Sequence, residues 1–309
     1  MSKSFQFLFV LASLTTISSA QTITTQSFGS GANAFSMDFV TIGNPGNAAD
    51  TTGSPNPAGA VAYTYNIGKY EVSRDMVLKA TTAGGLGLTL ADMTSYGANG
   101  ANKPATGINW YEAAKFVNWL NTSKGYQAAY LFDGSGNYQI WSSVRAAQNN
   151  LFRHKDAQYF LPSMDEWYKA AYGNLAGAWF NYPNGSDSMP TMVSGGTAPG
   201  SAVYMQTAPA DVRDAGGLSP FGTMAQGGNV REWVESAFTQ PNDLPGETRV
   251  ARGGYWNSWL DLGSLANGSL FPTTEDSFTG FRVAMIPEPS SLSLLALGGV
   301  IVALWRRRR

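Results

Sequence analysis

Two short stretches of the sequence decide the fold class: GNVREW at residues 228–233 and ARGGYW at residues 251–256. Each places glycine beside tryptophan and a charged side chain. Glycine suits tight turns and close backbone approach. A tryptophan ring and a carboxylate can fix irregular backbone through packing and hydrogen bonds. Such stretches are typical of a core tied together by loops rather than by long helices.

Local signals around these stretches predict three short helices. Ser73 can cap a helix that runs through Met76 and Ala80. The pairs Asn109 with Glu112 and Ser163 with Glu166 have the spacing of a capping box. After each of these two pairs, apolar residues recur on one helical face.

Short strands are predicted between turns at Ala60–Tyr65, Val250–Arg252 and Gly280–Ala284. Few helices, short strands and long glycine-rich loops predict an α+β fold with much irregular structure. The tryptophans of these blocks are predicted to be core residues: Trp110, Trp119, Trp167, Trp233 and Trp256. Arg252 and Arg282 are predicted to be partly buried partners of Glu112, Glu166 or Glu232, because an unpaired buried charge is costly.

Composition excludes several classes of function. Charged residues make up only 13% of the 309 residues and the net charge is −1, so nothing favours nucleic acid as a partner. The chain has no cysteine and a single histidine, His154. Disulfides, thiol catalysis and histidine-rich metal sites are therefore excluded. His154 is interpreted as an ordinary exposed or packed histidine in a polar loop.

The first 20 residues have the features of a secretory signal peptide. Lys3 gives a positive start, Phe5–Leu14 is an apolar run, and Ser18–Ala20 offers small residues for cleavage. We therefore predict a signal peptide over residues 1–20 and export of the remainder.

The other end has three parts in a fixed order. Pro287, Glu288 and Pro289 are followed by the apolar segment Leu292–Trp305, and four arginines end the chain. This tail, residues 286–309, resembles the PEP-CTERM sorting signal of Gram-negative bacteria. The resemblance implies an exosortase-type protease as partner and a location at the cell surface or in the extracellular matrix. Arginines after an apolar segment also fit a short membrane-spanning anchor with the domain outside the cytoplasm, an alternative that stays open.

Six sequence blocks between the two ends occur in the order of a known family: residues 68–73, 104–113, 160–167, 228–233, 251–256 and 280–284. Together they resemble the sulfatase-modifying-factor domain, the family of the formylglycine-generating enzyme, over residues 36–285. The resemblance implies a C-type-lectin-like α+β fold, which agrees with the prediction made from the residues alone.

The catalytic residues that this resemblance implies are missing. The family's two copper-binding cysteines would fall near Ser258 and near Gly263, and neither residue is a cysteine. A serine hydroxyl cannot hold Cu(I) as a thiolate does, so formylglycine generation is excluded. The iron-dependent relatives use several histidines, which His154 alone cannot supply. Neither copper nor iron is expected.

The resemblance also implies a calcium site, with Glu232 giving a carboxylate and Gly228 and Val230 giving backbone carbonyls. Oxygen ligands of this kind suit calcium. One further family ligand falls on Ala225, so only weak calcium binding is expected.

The leading functional hypothesis is a non-catalytic surface or matrix module that binds exopolysaccharide or another protein. Aromatic and amide side chains could stack on sugars and hydrogen-bond them: Trp179, Asn181, Tyr182, Trp256, Asn257, Ser258 and Trp259. The alternative, that these rings pack the core, stays open.

Two other functional hypotheses stay open. One is a hydrolase or transferase with paired carboxylates, such as Asp165 with Glu166 or Glu232 with Glu235. The other is an accessory partner of an envelope enzyme.

Overall fold

The computed structural model describes residues 22–147, 150–239, 241–259 and 261–288. It contains three α-helices in that part of the chain: α1 (Arg74–Gly84), α2 (Trp110–Thr122) and α3 (Met164–Tyr172). Each begins at the residue that the sequence predicts. The Ser73 hydroxyl accepts from the Met76 backbone nitrogen, and both predicted capping boxes are formed. The side chain at each N-cap thus satisfies backbone donors that a helix start leaves free.

The strands are short, and most have five residues or fewer. In chain order they are β1 (Ile23–Phe28), β2 (Phe35–Ile42), β3 (Tyr65–Gly68), β4 (Leu131–Phe132), β5 (Tyr138–Gln139), β6 (Ala146–Ala147), β7 (Asn150–His154), β8 (Tyr159–Phe160), β9 (Thr191–Met192), β10 (Ser201–Ala202), β11 (Arg231–Ala237), β12 (Arg249–Arg252), β13 (Gly268–Leu270), β14 (Thr279–Phe281) and β15 (Ala284–Met285).

Two sheets organise the fold. An antiparallel sheet has the order β1-β2-β3-β15-β8, so the first and last strands share one sheet. The second sheet has the order β13-β12-β11-β14, in which β14 runs parallel to β11. Pairs of two strands complete the described part: β4-β5, β6-β7 and β9-β10. This confirms the predicted α+β class with few helices and short strands.

The predicted strands differ from the observed ones in their bounds, by a single residue for Val250–Arg252, which is β12. The segment predicted at Ala60–Tyr65 is loop until β3 begins at Tyr65, because Val61 bonds the Asn47 side chain and Gly46 instead of a neighbouring strand. The segment predicted at Gly280–Ala284 is divided into β14 and β15. Arg282 lies at this division, where the chain passes from the second sheet to the first.

The core is rich in tryptophan, as predicted. Trp110, Trp167, Trp233 and Trp256 are at most 1% exposed, and Trp119 is 9% exposed. Trp110 donates from Nε1 to the carbonyl of Val234 at 2.9 Å, and Trp233 donates to that of Ile108 at the same distance. These bonds tie the start of α2 to β11, which carries the first of the two deciding stretches.

Candidate functional site

A buried ion pair anchors the stretch 228–233. Glu232 is 0% exposed, and Arg282 donates to both of its carboxylate oxygens at 2.6 and 2.5 Å. Trp167 adds a third donor, Nε1, at 2.7 Å. The predicted pairing of Arg282 with a glutamate is therefore present. Burial, reinforced by the Glu232 charge, raises the pKa of the neighbouring Glu71 well above its usual range.

The residues predicted to hold calcium do not fit the ion. Calcium needs carboxylate oxygens free to coordinate it, and those of Glu232 are occupied by Arg282 and Trp167. The side chain of Ala225 offers no ligand. Among the described residues, no three Asp, Glu, His or Cys side chains are grouped as a metal site requires. Glu232 therefore serves the fold through its ion pair.

Arg252, in the second deciding stretch, has no carboxylate partner in the described structure, and its predicted ion pair was wrong. Its Nη1 donates to the carbonyl of Ser54 at 2.6 Å and to Asn267 Oδ1 at 3.4 Å, and its Nη2 donates to the carbonyl of Ser264 at 3.0 Å. Its guanidinium lies 5.2 Å from the ring centre of Tyr168. Backbone carbonyls and aromatic rings take the place of a counter-ion.

The glycines after Arg252 allow a close approach between the chain at Gly254 and the segment at Asp261 and Leu262. Gly254 has φ +66°, and a Cβ there would lie 3.1–3.2 Å from the backbone of Asp261. Within the turn at residues 255–263, Ser258 and Gly263 stand near where the resemblance places cysteines. The Ser258 hydroxyl donates to Asp261 Oδ2 at 3.1 Å. The position of a copper-binding thiol is thus held by a serine that is bonded to a carboxylate.

A small cleft lies beside this turn, and we name it the Gly-Gly cleft. Its volume is about 150 Å³. It is lined by Arg231, Ala251, Arg252, Gly253, Gly254, Tyr255, Asp261, Ala266, Asn267 and Gly268. Pockets for drug-sized ligands measure roughly 300–1,000 Å³, so this cleft has room for a single small ring.

The cleft combines one aromatic ring with a guanidinium, a carboxylate and an amide. Tyr255 packs against Phe278 with 4.7 Å between ring centres, and the Arg231 guanidinium lies 5.4 Å from the Tyr255 ring. Arg231 is held by Asp276 at 2.6 Å. One oxygen of Asp261 accepts from Ser258, while the Asn267 amide nitrogen has no bonding partner among the described residues. A hydroxyl-rich ligand would find a ring face, an acceptor and donors here.

The residues predicted as a ligand surface do not form one platform. Trp256 is 1% exposed and packs between Tyr96 and Phe278, so it is a core residue and cannot contact a ligand. Trp179 is half-buried against Tyr168.

The remaining predicted residues lie in or near the turn. Asn257 is exposed, Trp259 is 61% exposed, and Tyr182 is half-buried. The Asn181 carbonyl accepts from the backbone nitrogen of Ser264 at 2.8 Å. Of the predicted set, Asn257 and Trp259 are thus placed on the exposed part of the turn that borders the cleft, and their role in binding stays a prediction.

The cleft's own polar residues were missed from the sequence. Arg231 and Tyr255 lie inside the quoted stretches, but no pattern marked Asp261 or Asn267 as neighbours of either. These two belong to an irregular segment whose course is fixed by contacts with Arg252 and Ser258. The one sequence signal for the cleft was the pair Gly253 and Gly254, because the family's cysteines follow that pair closely.

The paired carboxylates of the hydrolase hypothesis mostly lie inside the protein. Glu166, Glu232 and Glu235 are all 0% exposed. Glu166 closes the capping box of α3, and Arg153 contacts Glu166 at 3.3 Å and Glu235 at 3.1 Å. Burial, with a contribution from the Glu166 charge, raises the pKa of Glu235 to about 7. Asp165, by contrast, lines a cavity at the start of α3.

The His154 side chain is likewise buried and packed against other residues. His154 ends strand β7 and is 7% exposed, with its ring edge-on to Trp141 at 4.6 Å. The predicted loop was wrong, because His154 belongs to strand β7, and its ring is packed against Trp141. Burial lowers the pKa of His154.

The model of the sulfatase-modifying factor enzyme 1-like domain matches residues 34–286, and that of the PEP-CTERM protein-sorting motif matches residues 286–309. No curated protein matches the chain. Among the described residues, no helix has the length and apolar character needed to span a bilayer. The predicted signal peptide, Pro289 and the segment Leu292–Trp305 lie outside the described residues.

Two solved structures share the fold. Treponema denticola variable protein 1 is 19% identical, with a TM-score of 0.61, over 85% of this chain and 99% of that chain. The protein titled CarF is 18% identical, with a TM-score of 0.58, over 82% of this chain and 99% of that chain. At this identity the likeness concerns the fold alone. By its match over most of its length, the chain belongs to the sulfatase-modifying factor enzyme 1-like domain family.

Proposed function

We propose that this exported protein is a non-catalytic binding module whose Gly-Gly cleft takes one sugar unit of an exopolysaccharide at the cell surface or in the matrix. The observation that carries the proposal is the content of the cleft. Near Ser258 and Gly263, where the resemblance implies copper-binding thiols, the cleft is lined by the Tyr255 ring, the Asp261 carboxylate and the Asn267 amide.

The chemistry of the cleft suits a saccharide. A sugar ring has an apolar C–H face, which can cover the Tyr255 ring, and equatorial hydroxyls, which both donate and accept hydrogen bonds. Asp261 can accept from such hydroxyls, and Asn267 can donate to them. The cleft volume of about 150 Å³ favours a single ring over a peptide side chain with its flanking backbone.

Loss of redox chemistry follows from the sequence itself. All 309 residues lack cysteine, and neither a serine hydroxyl nor a glycine can bind Cu(I) or exchange disulfides. The tail supports sorting outside the cytoplasm by an exosortase-type protease, because the PEP-CTERM motif matches residues 286–309. A binding role at the cell surface agrees with both the absence of cysteine and the presence of the sorting motif.

Replacing Tyr255 by leucine tests the proposal. The full chain, purified in detergent, is first screened on a glycan array, and the tightest ligand is titrated calorimetrically. Tyr255→Leu keeps apolar packing on Phe278 but removes the ring face. We expect affinity to fall about tenfold, which corresponds to about 1.4 kcal/mol.

Tyr126→Leu is the matched control, because Tyr126 is a partly exposed tyrosine that lines no part of the cleft. It should leave affinity unchanged. A blank array, or equal losses in both variants, would contradict the proposal. Binding to envelope protein alone would favour the accessory-partner hypothesis instead.

A further inference from the structure

The chain contains three Asn-Gly pairs, at residues 99–100, 184–185 and 267–268. Asparagine is a chemically labile residue, and it is most prone to spontaneous deamidation before glycine, because the glycine has no side chain to shield its backbone nitrogen from the asparagine amide. All three pairs share this reactive sequence. Their surroundings in the folded protein therefore decide which of them reacts.

Two of the pairs are held by hydrogen bonds that oppose the reaction. The Asn99 amide nitrogen donates to Asp92 and to Thr94, both at 2.8 Å, and the Asn99 side-chain oxygen accepts from a backbone nitrogen at 2.8 Å. These three bonds fix the Asn99 side chain. At the second pair, the Gly185 backbone nitrogen donates to the carbonyl of Tyr182 at 3.2 Å. The nitrogen that would have to attack is therefore engaged in a turn.

The third pair lies at the Gly-Gly cleft and is held differently. Asn267 is half-buried in the cleft wall, and its amide nitrogen, which is the leaving group, has no bonding partner among the described residues. Gly268 is exposed and begins β13, the edge strand of the second sheet. The end of an edge strand opens at little cost in free energy. Such an opening frees the Gly268 nitrogen to approach the amide.

Arg252 adds an electrostatic contribution at this pair. Its Nη1 donates to the Asn267 side-chain oxygen at 3.4 Å. A cation at that oxygen draws electron density from the amide carbon Cγ and stabilises the oxyanion that forms when Cγ is attacked. Arg252 is also 2% exposed and has no carboxylate partner in the described structure. Because an unpaired buried charge is costly, a carboxylate formed beside Arg252 would be stabilised in turn.

We infer that Asn267 is a site of spontaneous deamidation, and that the aspartate formed there becomes the counter-ion that Arg252 lacks. The Gly268 backbone nitrogen bonds to Cγ of Asn267, the bond from Cγ to Nδ2 breaks, and ammonia leaves with the Gly268 amide proton. Water in the cleft then adds to Cγ of the resulting succinimide, breaks the new bond and returns a proton to the Gly268 nitrogen. The acid formed gives its proton to ammonia, so an amide and one water become a carboxylate and ammonium.

The contact with Arg252 also selects the product. Water can open the succinimide at Cγ, which gives aspartate, or at the backbone carbonyl carbon, which gives isoaspartate. Isoaspartate predominates in open peptides. In the folded protein Arg252 bonds the oxygen on Cγ, so Cγ is the more electrophilic carbon and aspartate is the expected main product. This chemistry needs no ligand in the cleft, and it replaces a hydrogen-bond donor of the cleft by an acceptor.

Peptide mapping by mass spectrometry measures the reaction. The full chain in detergent is incubated at neutral pH, and a sample unfolded in guanidinium chloride gives the reference rate for each Asn-Gly pair. In the folded chain, position 267 should deamidate at least about tenfold faster than positions 99 and 184, which corresponds to a barrier about 1.4 kcal/mol lower. Aspartate should exceed isoaspartate only in the folded chain. A folded rate at 267 no greater than at the other two, or an excess of isoaspartate there, would overturn the inference.

Asn267→Asp tests the counter-ion separately. The folded protein already bears the cost of burying Arg252, so a carboxylate at this distance from its Nη1 adds attraction. We expect the midpoint of urea unfolding to rise by at least about 0.3 M. Asn102→Asp is the matched control, because Asn102 is an exposed asparagine that lines no part of the cleft. It should leave the midpoint unchanged, and an Asn267→Asp midpoint no higher than that of the control would overturn the ion pair.

Discussion

Arg282→Met should lower the free energy of unfolding by about 3–5 kcal/mol, the largest loss that we expect from a single substitution outside the hydrophobic core. Arg282 and Glu232 are both 0% exposed, and the arginine also donates to the carbonyls of Gly68 and Met224. Methionine matches much of the apolar volume but leaves the Glu232 carboxylate buried with only Trp167 as a donor.

Urea unfolding of the full chain in detergent measures this loss. The control is Arg213→Met, because Arg213 pairs with Asp38 at 3.0 Å on the surface, where the arginine side chain is 53% exposed. Exposed pairs contribute about 0–1 kcal/mol. Equal losses for the two variants would show that Glu232 does not depend on a buried counter-ion.

The second large effect concerns pH. Burial first, and then the Glu166 charge, raises the pKa of Glu235 to about 7 in the folded protein. In the unfolded chain a glutamate titrates near 4.3. Between these values the folded state binds more protons than the unfolded state. Stability is therefore highest below the unfolded value and falls as pH rises to about 7, by up to about 1.4 kcal/mol per pH unit.

Chemical unfolding at a series of pH values between 4 and 8 measures that slope. Glu235→Gln cannot titrate, so its stability should lose this contribution to the slope, while Tyr130 and Asn150 keep a polar partner. Glu247→Gln controls for the general effect of removing one carboxylate. A slope that persists unchanged in Glu235→Gln would assign the titration to another group.

Features that depend on neighbouring residues in the sequence could be predicted from the sequence. All three helix starts are set within four residues by a cap and its backbone partner, so Ser73, Asn109 and Ser163 could be identified from spacing alone. The burial of the tryptophans also follows from residue type, because a large apolar ring gains most by leaving water.

Contacts that join distant parts of the chain could not be predicted in the same way. Both Arg282 and Arg252 were expected to pair with a glutamate. Arg282 does so, whereas Arg252 donates to backbone carbonyls in two loops. The ion pair between Arg153 and Glu235 was missed, because the sequence around each residue carries no signal that the two side chains meet. The cleft residues Asp261 and Asn267 depend on the same long-range packing, so the fold was more predictable than the site.

The central claim is that the Gly-Gly cleft, which lies beside the turn that carries Ser258, binds a sugar. A crystal structure of the protein with the tightest oligosaccharide from the array tests it most directly. We predict one sugar ring over Tyr255, with its hydroxyls bonded to Asp261 and Asn267. A sugar bound only at another surface, with the Gly-Gly cleft unchanged from the free protein, would contradict the account.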